Sequence, residues 1–362
     1  MSHTSDKTLR IGLVGTGAIA HKHAQAYANI GYRVTACYNQ SFEKGEVFAA
    51  QYGARYVESL EGICSHPEVD VIDLCTFPDV RLEPLRLAAR AGKHIQVQKP
   101  IATNLKTARE MIEYAHAKRV HLAVVSQHRF DDSVIFLKRA IAGGRLGHVL
   151  QADAYVKWWR SEEYYSRPIK GSWDVEGGGA LINQGIHQVD ILLHLLGPVS
   201  EVFGMWQLGA RHKIASEDVV QTMLRYASGA TGVIQASTAF WPGYTERIEI
   251  HGTKGTAVIS GDKLTTWDVQ EDDPRDPAPL ATSVSSGASD PMAISLAPFE
   301  RQFLDLGRAI STGTPPSITG EDGYRALELV VGTYRSCREG KVISLHGAAQ
   351  FNGAAQFNGA AQ

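Results

Sequence analysis

The sequence predicts two domains in series. The first is an α/β domain on a doubly wound parallel sheet, and the second is an α+β domain with a large, open, mostly antiparallel sheet. Three observations predict this. The 362 residues allow about two domains at roughly 150 residues each. Up to about residue 127, short apolar runs alternate with helical patterns, which is the rhythm of βαβ units. Beyond about 130 the strand-like runs follow one another across short Gly-rich turns, which implies hairpins.

Taken in order, residues 9–15 read as a strand entering a glycine turn, followed by an Ala-rich helix over 18–30 and a strand over 32–38. A helix (43–52), strand (69–75), helix (82–91), strand (94–97), helix (105–118) and strand (121–125) complete the first domain, residues 1–127. The second domain, 128–346, opens on one long helix pattern over 179–196. Strand-like runs follow at 200–208, 216–226, 231–239, 245–251, 255–260 and 264–269. Residues 271–291, rich in Pro, Asp and Ser, read as a loop. Helices are expected over 299–310 and from a capping arrangement at Thr319-Gly320-Glu321-Asp322 to Cys337, returning to cover a sheet. The tail, 347–362, repeats Gly-Ala-Ala-Gln-Phe-Asn and reads as disordered, because such a composition buries no core.

Composition removes several function classes. With 36 basic and 38 acidic residues the net charge is −2, which offers no electrostatic footprint for nucleic acid. No run of about 18 apolar residues appears, so no membrane helix is expected. The polar start Met1-Ser2-His3-Thr4 lacks a secretory h-region, and the expected location is cytoplasmic. Four cysteines with irregular spacing fit reduced, buried thiols rather than disulfides or a zinc site. His187 and His194 share a helix face but are separated by about 10 Å of rise, so no metal is expected.

Gly15-Thr16-Gly17-Ala18-Ile19-Ala20 is a GxGxxA turn between the first strand and the first helix. Gly15 allows the tight turn and Gly17 the approach of a pyrophosphate. Ala20 keeps helix and strand close, and the helix N-terminus offers free N–H groups. The second strand ends at Tyr38-Asn39-Gln40-Ser41, where a dinucleotide site usually carries an acid for the ribose hydroxyls. Asn39 is neutral, and Ser41 or Lys44 could meet a 2′-phosphate, so the expected cofactor is NAD or NADP. Gln98-Lys99-Pro100 closes a strand at its carboxyl end, where this kind of sheet holds its ligand. Behind the triple glycine Gly177–Gly179, a helix would align Asn183, His187 and Asp190 at i, i+4 and i+7 beside an apolar face.

These residues together resemble the Gfo/Idh/MocA family of NAD(P)-dependent oxidoreductases, through the GxGxxA turn, the Ala91-Gly92-Lys93-His94 to Gln98-Lys99-Pro100 segment, and the GGG…GxHxxD helix. The resemblance covers residues 8 to 345. It implies an N-terminal Rossmann domain, a C-terminal domain with a large open sheet, and packing of sheet faces into homodimers or homotetramers. It implies Lys99 and His187 as the catalytic pair in oxidising a secondary hydroxyl of a sugar, sugar derivative or cyclitol, or in the reverse reduction. His187 would take the hydroxyl proton, and Lys99 would stabilise the developing charge. Asn183 stands where many relatives carry Asp, and Gln98 where Glu is usual, which should make Lys99 easier to deprotonate. Phe77-Pro78 and Arg81 also depart from the pattern, whereas Thr76 is retained.

Cofactor contacts are thus expected at Gly15, Thr16, Gly17, Ala18, Ile19, Asn39, Ser41, Lys44, Thr76, Gln98 and Lys99. The aromatic stretch from Lys157-Trp158-Trp159-Arg160 through Tyr164-Tyr165 to Trp173 is expected to wall the site, with Trp173 on the cofactor side. Substrate contacts are expected from Lys99, Arg129, Tyr165, Asn183, His187 and Asp190. Two other readings remain: a non-catalytic NAD(P)-binding regulator on the same fold, or a reductase acting on a non-sugar substrate.

Overall fold

The structure is a computed structural model and describes residues 8–167, 169–271, 273, 274, 276, 286 and 295–346. The first residues, much of the Pro/Asp/Ser-rich stretch and the repeat tail lie outside the described residues.

The first half follows the expected alternation: β1 (Arg10–Val14), α1 (Ala18–Asn29), β2 (Arg33–Tyr38), α2 (Phe42–Tyr52), β3 (Arg55–Tyr56), α3 (Leu60–Cys64), β4 (Val71–Leu74), α4 (Leu82–Arg90), β5 (His94–Val97), α5 (Leu105–Ala117) and β6 (Leu122–Val124). The six strands are all parallel in the order β3-β2-β1-β4-β5-β6. Strand β4 is buried along its whole length, as expected of a sheet covered on both faces. The order runs outward in both directions from β1 and β4, so a crevice opens beyond their carboxyl ends. Elements β3 and α3, two and five residues long, are too short to carry a periodic signal.

The second half comprises α6 (Asp132–Ala142), β7 (Val149–Lys157), α7 (Glu162–Tyr165), α8 (Ile186–Leu196), β8 (Val199–Leu208), β9 (Glu217–Tyr226), β10 (Thr231–Ser237), β11 (Arg247–Gly252), β12 (Gly255–Ser260), β13 (Lys263–Val269), α9 (Ala297–Thr312), α10 (Gly320–Glu339) and β14 (Ile343–Ser344). Its eight strands lie in the order β13-β12-β11-β7-β10-β9-β8-β14. The β7/β10 pair is parallel and the other pairs are antiparallel. Strand β7, unmarked in the sequence reading, buries Ala152, Ala154 and Val156 on one face. An apolar face made largely of alanine gives a weak alternation signal.

Two late helices tie the halves together. On α9, Phe303 stacks on Tyr27 of α1 with ring centroids 4.3 Å apart. Gln302 donates to the Val124 carbonyl (2.8 Å) and accepts from the Ser126 amide (3.1 Å), closing the end of β6. Helix α10 starts with the expected capping box between Thr319 and Asp322. Its Tyr334 hydroxyl donates to the buried Glu217 carboxylate at 2.7 Å. Glu217 in turn accepts the Gly179 and Leu181 amides, both at 2.9 Å, and so fixes the start of the segment that carries His187. A side chain at Gly179 would collide with the Glu217 backbone carbonyl, which explains one glycine of the triplet.

Candidate active site

One large cavity, about 1120 Å³, runs from the glycine turn across the switch point to α8. Its nucleotide end is lined by Gly15, Thr16, Gly17 and Ile19, and across from them by Asn39, Ser41 and Lys44. Gly15 has φ +90°, and a Cβ there would stand 3.1 Å from the Cys75 carbonyl. Gly17 differs: a Cβ would meet no protein atom within 4 Å, so its missing side chain keeps the mouth of the cavity open. Gly17 is also the N-cap of α1 and offers no side-chain cap, which leaves the first-turn amides to a ligand. Ala18 opens that helix. These features fit a dinucleotide pyrophosphate. Asn39 donates to the Thr16 hydroxyl and accepts the Ser41 amide at 3.0 Å, so its amide is committed to shaping the ribose pocket.

Gln98 and Lys99 follow β5 directly. Gln98 sits within 2.7 Å of His23 Nε2, and His23 Nδ1 lies 2.7 Å from Asp73. Tyr27 also donates to Asp73 at 2.8 Å, which completes a buried polar chain beneath the crevice. Among the described residues, His23, Asp73 and Cys75 are the group of metal-ligating side chains close enough to share an ion. In this structure His23 and Asp73 hydrogen-bond to each other, and Cys75 Sγ lies 3.5 Å from His23 Nδ1. Arg81, buried after Thr76, donates to the carbonyls of Thr76, Gln98 and Pro100. It therefore staples the backbone on both sides of Lys99. Burial pushes its own pKa down to about 9.

Lys99 Nζ donates to the Asn183 carbonyl at 2.6 Å. The expected uninterrupted α-helix is interrupted there, because Leu181–Gly185 form a π turn before α8. Such turns re-space the backbone ladder and recur at functional sites. The Asn183 side chain points back to the glycines, donating to the carbonyls of Gly178 (3.3 Å) and Gly179 (3.2 Å). Burial, then the cations Lys170, Arg81 and Arg160, outweigh Glu176 and lower the Lys99 pKa to about 8. The direction matches expectation. The cause is burial and like charge. His187 lines the same cavity, and burial with Lys99 and His128 nearby depresses its pKa well below the ordinary value. It is therefore neutral near pH 7.

Four expected site residues lie elsewhere. Arg129 and Asp190 form a buried bidentate pair (2.8 and 2.7 Å), with Asp322 3.3 Å from the same guanidinium. Each satisfies the other, so neither is directed at a ligand. Tyr165 bonds Thr238 at 2.7 Å and packs on His212, while its neighbour Tyr164 lines the cavity. Trp173 donates to the Ala215 carbonyl at 3.0 Å and packs against Trp206 and Tyr334, away from the cavity. Conversely, the cavity wall includes Arg160, and also His128, Asp131, Lys170 and Glu176, which sequence reasoning left out of the site. Arg160 lay inside the aromatic stretch already singled out. Nothing in the sequence marked the Lys170–Glu176 ion pair (2.5 Å).

A crevice of this form, at the switch point of a doubly wound sheet, defines a dinucleotide-binding protein. The matching family models agree: an oxidoreductase family with an NAD-binding Rossmann fold over residues 9–126, and a GFO/IDH/MocA C-terminal domain over residues 134–258. The chain belongs to the GFO/IDH/MocA oxidoreductase family. It is 28% identical to an inositol 2-dehydrogenase of Rhizobium meliloti (strain 1021), over 93% of this chain and 99% of that one. It is 27% identical to a 1,5-anhydro-D-fructose reductase of Ensifer adhaerens, over 93% and 98%. Among solved structures it resembles the WlbA dehydrogenase of Bordetella pertussis in complex with NADH and UDP-GlcNAcA. The TM-score is 0.85 at 28% identity, covering 94% of this chain and 98% of that one. No helix among the described residues is long and apolar enough to cross a membrane.

Proposed function

We propose that this protein is an NAD(P)-dependent dehydrogenase that oxidises a secondary hydroxyl of a sugar, sugar derivative or cyclitol, or catalyses the reverse reduction. Residues 1–127 would form the nucleotide domain and 128–346 the substrate domain. The observation that carries the reading is that Lys99 and His187, from different halves, open on one cavity continuous with the nucleotide turn. When bound, the nicotinamide supplies a hydride acceptor. The chain's own part is to manage the proton. His187, held neutral by burial, accepts it from the hydroxyl. Lys99 donates a hydrogen bond to the same oxygen and offsets its growing negative charge. Asn183 lacks a proton site, and its carbonyl instead aims the Lys99 ammonium.

The test mixes purified protein with NAD+ or NADP+ and a panel of sugars, glycosides and inositols, and follows the absorbance of reduced nicotinamide. Turnover on at least one polyol is expected. Lys99→Met should reduce kcat by about 10²–10³. Wild-type turnover in that variant would remove the assignment. The open sheet, with Met205 and Met223 exposed on it, supports assembly into a homodimer or homotetramer. Light scattering of the purified chain checks that.

A further inference from the structure

His128 has no role in this scheme, yet it lines the same cavity. It stands on the short turn Gln127–Phe130 after β6, with its ring edge-on to His187, centroids 5.2 Å apart and planes at 89°. His128 Nδ1 lies 2.8 Å from the Asp131 carboxylate. A carboxylate only accepts, so Nδ1 carries the hydrogen and Nε2 is left as an acceptor. The placement is built in: Arg129, next to His128, is gripped at 2.8 and 2.7 Å by Asp190, which follows His187 by three residues on α8. One buried ion pair therefore sets the register of both histidines. The His128 side chain is 19% exposed, which gives it a path to water.

We propose that His128, held by Asp131, takes the proton on from His187 and releases it to water, returning His187 to its neutral form after each turnover. This rests on the dehydrogenase reading above. In the oxidising direction the substrate C–H bond breaks and its hydride reduces NAD(P)+, while the O–H proton goes to His187. The rings stand edge-on with centroids 5.2 Å apart and share no direct hydrogen bond, so the resulting imidazolium gives up its N–H proton through one water in the cavity to the neutral nitrogen of His128, and the His128 imidazolium is discharged to solvent. The surroundings set the direction. His187 is buried and faces the Lys99 ammonium, which disfavours holding the charge there. Burial also opposes charge on His128, but Asp131, with Glu246 and Asp262 behind it, outweighs burial and raises its pKa. His128 is thus a positioning and relay residue that acts through His187.

The test uses the full chain with bound NADH, and variants H128Q, H128A and D131N. In the wild-type holoenzyme, ¹⁵N NMR of the imidazoles should show His128 protonating at higher pH than His187; the reverse order overturns the relay. On the best panel polyol, H128Q and H128A should lose about 10- to 100-fold in kcat, with KM and nucleotide affinity within about twofold. Added imidazole should restore a large part of the H128A rate, which a packing defect would not allow, and D131N should move the acidic limb of the pH profile. Wild-type kcat in H128Q, or a loss with neither imidazole rescue nor a changed pH profile, overturns the relay and leaves the dehydrogenase reading standing. No turnover by wild type on any polyol overturns that reading itself.

Discussion

Replacing Asp190 separates two roles that the sequence alone does not distinguish, substrate contact and internal clamp. Its carboxylate receives two hydrogen bonds from Arg129, and the two side chains are only 4% and 7% exposed. Removing one partner of a buried pair costs about 3–5 kcal/mol, mostly because the other charge is stranded. Asp322 remains 3.3 Å from the guanidinium, which places Asp190→Ala at the low end, about 3 kcal/mol. With an unfolding entropy of about 2.1 cal/mol/K per residue over the 362-residue chain, Tm should fall by about 4 °C. The freed turn also lets His128 drift from His187, so kcat should drop about tenfold while the KM for sugar stays unchanged. Calorimetry and initial-rate kinetics on the same preparation check both parts. A KM raised tenfold with an unaltered Tm would refute the clamp and return Asp190 to the substrate.

Lys99→Met should stabilise the protein while it lowers kcat by about 10²–10³. The folded-state pKa of about 8 lies below the ordinary 10.5, so the native state binds fewer protons than the unfolded chain between those values. Wild-type stability therefore rises as pH climbs from about 8 to about 10.5, and the penalty is fully present below pH 8. Allowing for partial contact with cavity water, Lys99→Met should gain about 2 kcal/mol at pH 7 and lose that alkaline rise, read by urea melts across pH. Gly17→Ala adds a methyl that meets no protein atom, so Tm should hold while NAD(H) affinity falls by at least about tenfold, measured by calorimetric titration. Arg81→Met strips donors from the carbonyls of Thr76, Gln98 and Pro100. At about 1–3 kcal/mol per buried unpaired acceptor, a stability loss of about 3 kcal/mol or more is expected, together with a lower kcat because Lys99 loses its support.

The parts of the fold that were legible depend on local backbone chemistry. Gly15 needs a positive φ, Gly17 an open approach and Ala20 a close helix, so three letters place a nucleotide turn whatever the distant packing. Lys99 was legible because a residue that closes a parallel strand must stand at the crevice rim. His187 stood in a polar stripe beside an apolar face, which shows that the segment borders the core. The stripe does not show which member a distant charge will claim. Asp190 went to Arg129, and the Asn183 amide turned back to the glycines while its carbonyl took Lys99. Strand β7 was lost for a related reason, since Ala152 and Ala154 bury one face with little hydrophobic contrast.

The residues that misled are informative about how such a site is assembled. Its three segments come from residues near 99, 128 and 187, and no local rule holds them at catalytic distance. Each junction is made by a buried polar group, of which the sequence presents only Asp190 as a candidate ligand: Arg81 across the loop at Lys99, Asp190 to the turn at His128, Glu217 at the glycine entry to His187. Each of these is hydrogen-bonded to backbone or to an opposite charge, as burial demands. A polar side chain beside a catalytic residue therefore divides into two kinds by what saturates it. Those satisfied by protein carry geometry, and their loss should appear in Tm and kcat together. Those that also open on the cavity, as Lys99 and His187 do, would carry the proposed chemistry, and their loss should appear in kcat with stability unchanged or improved.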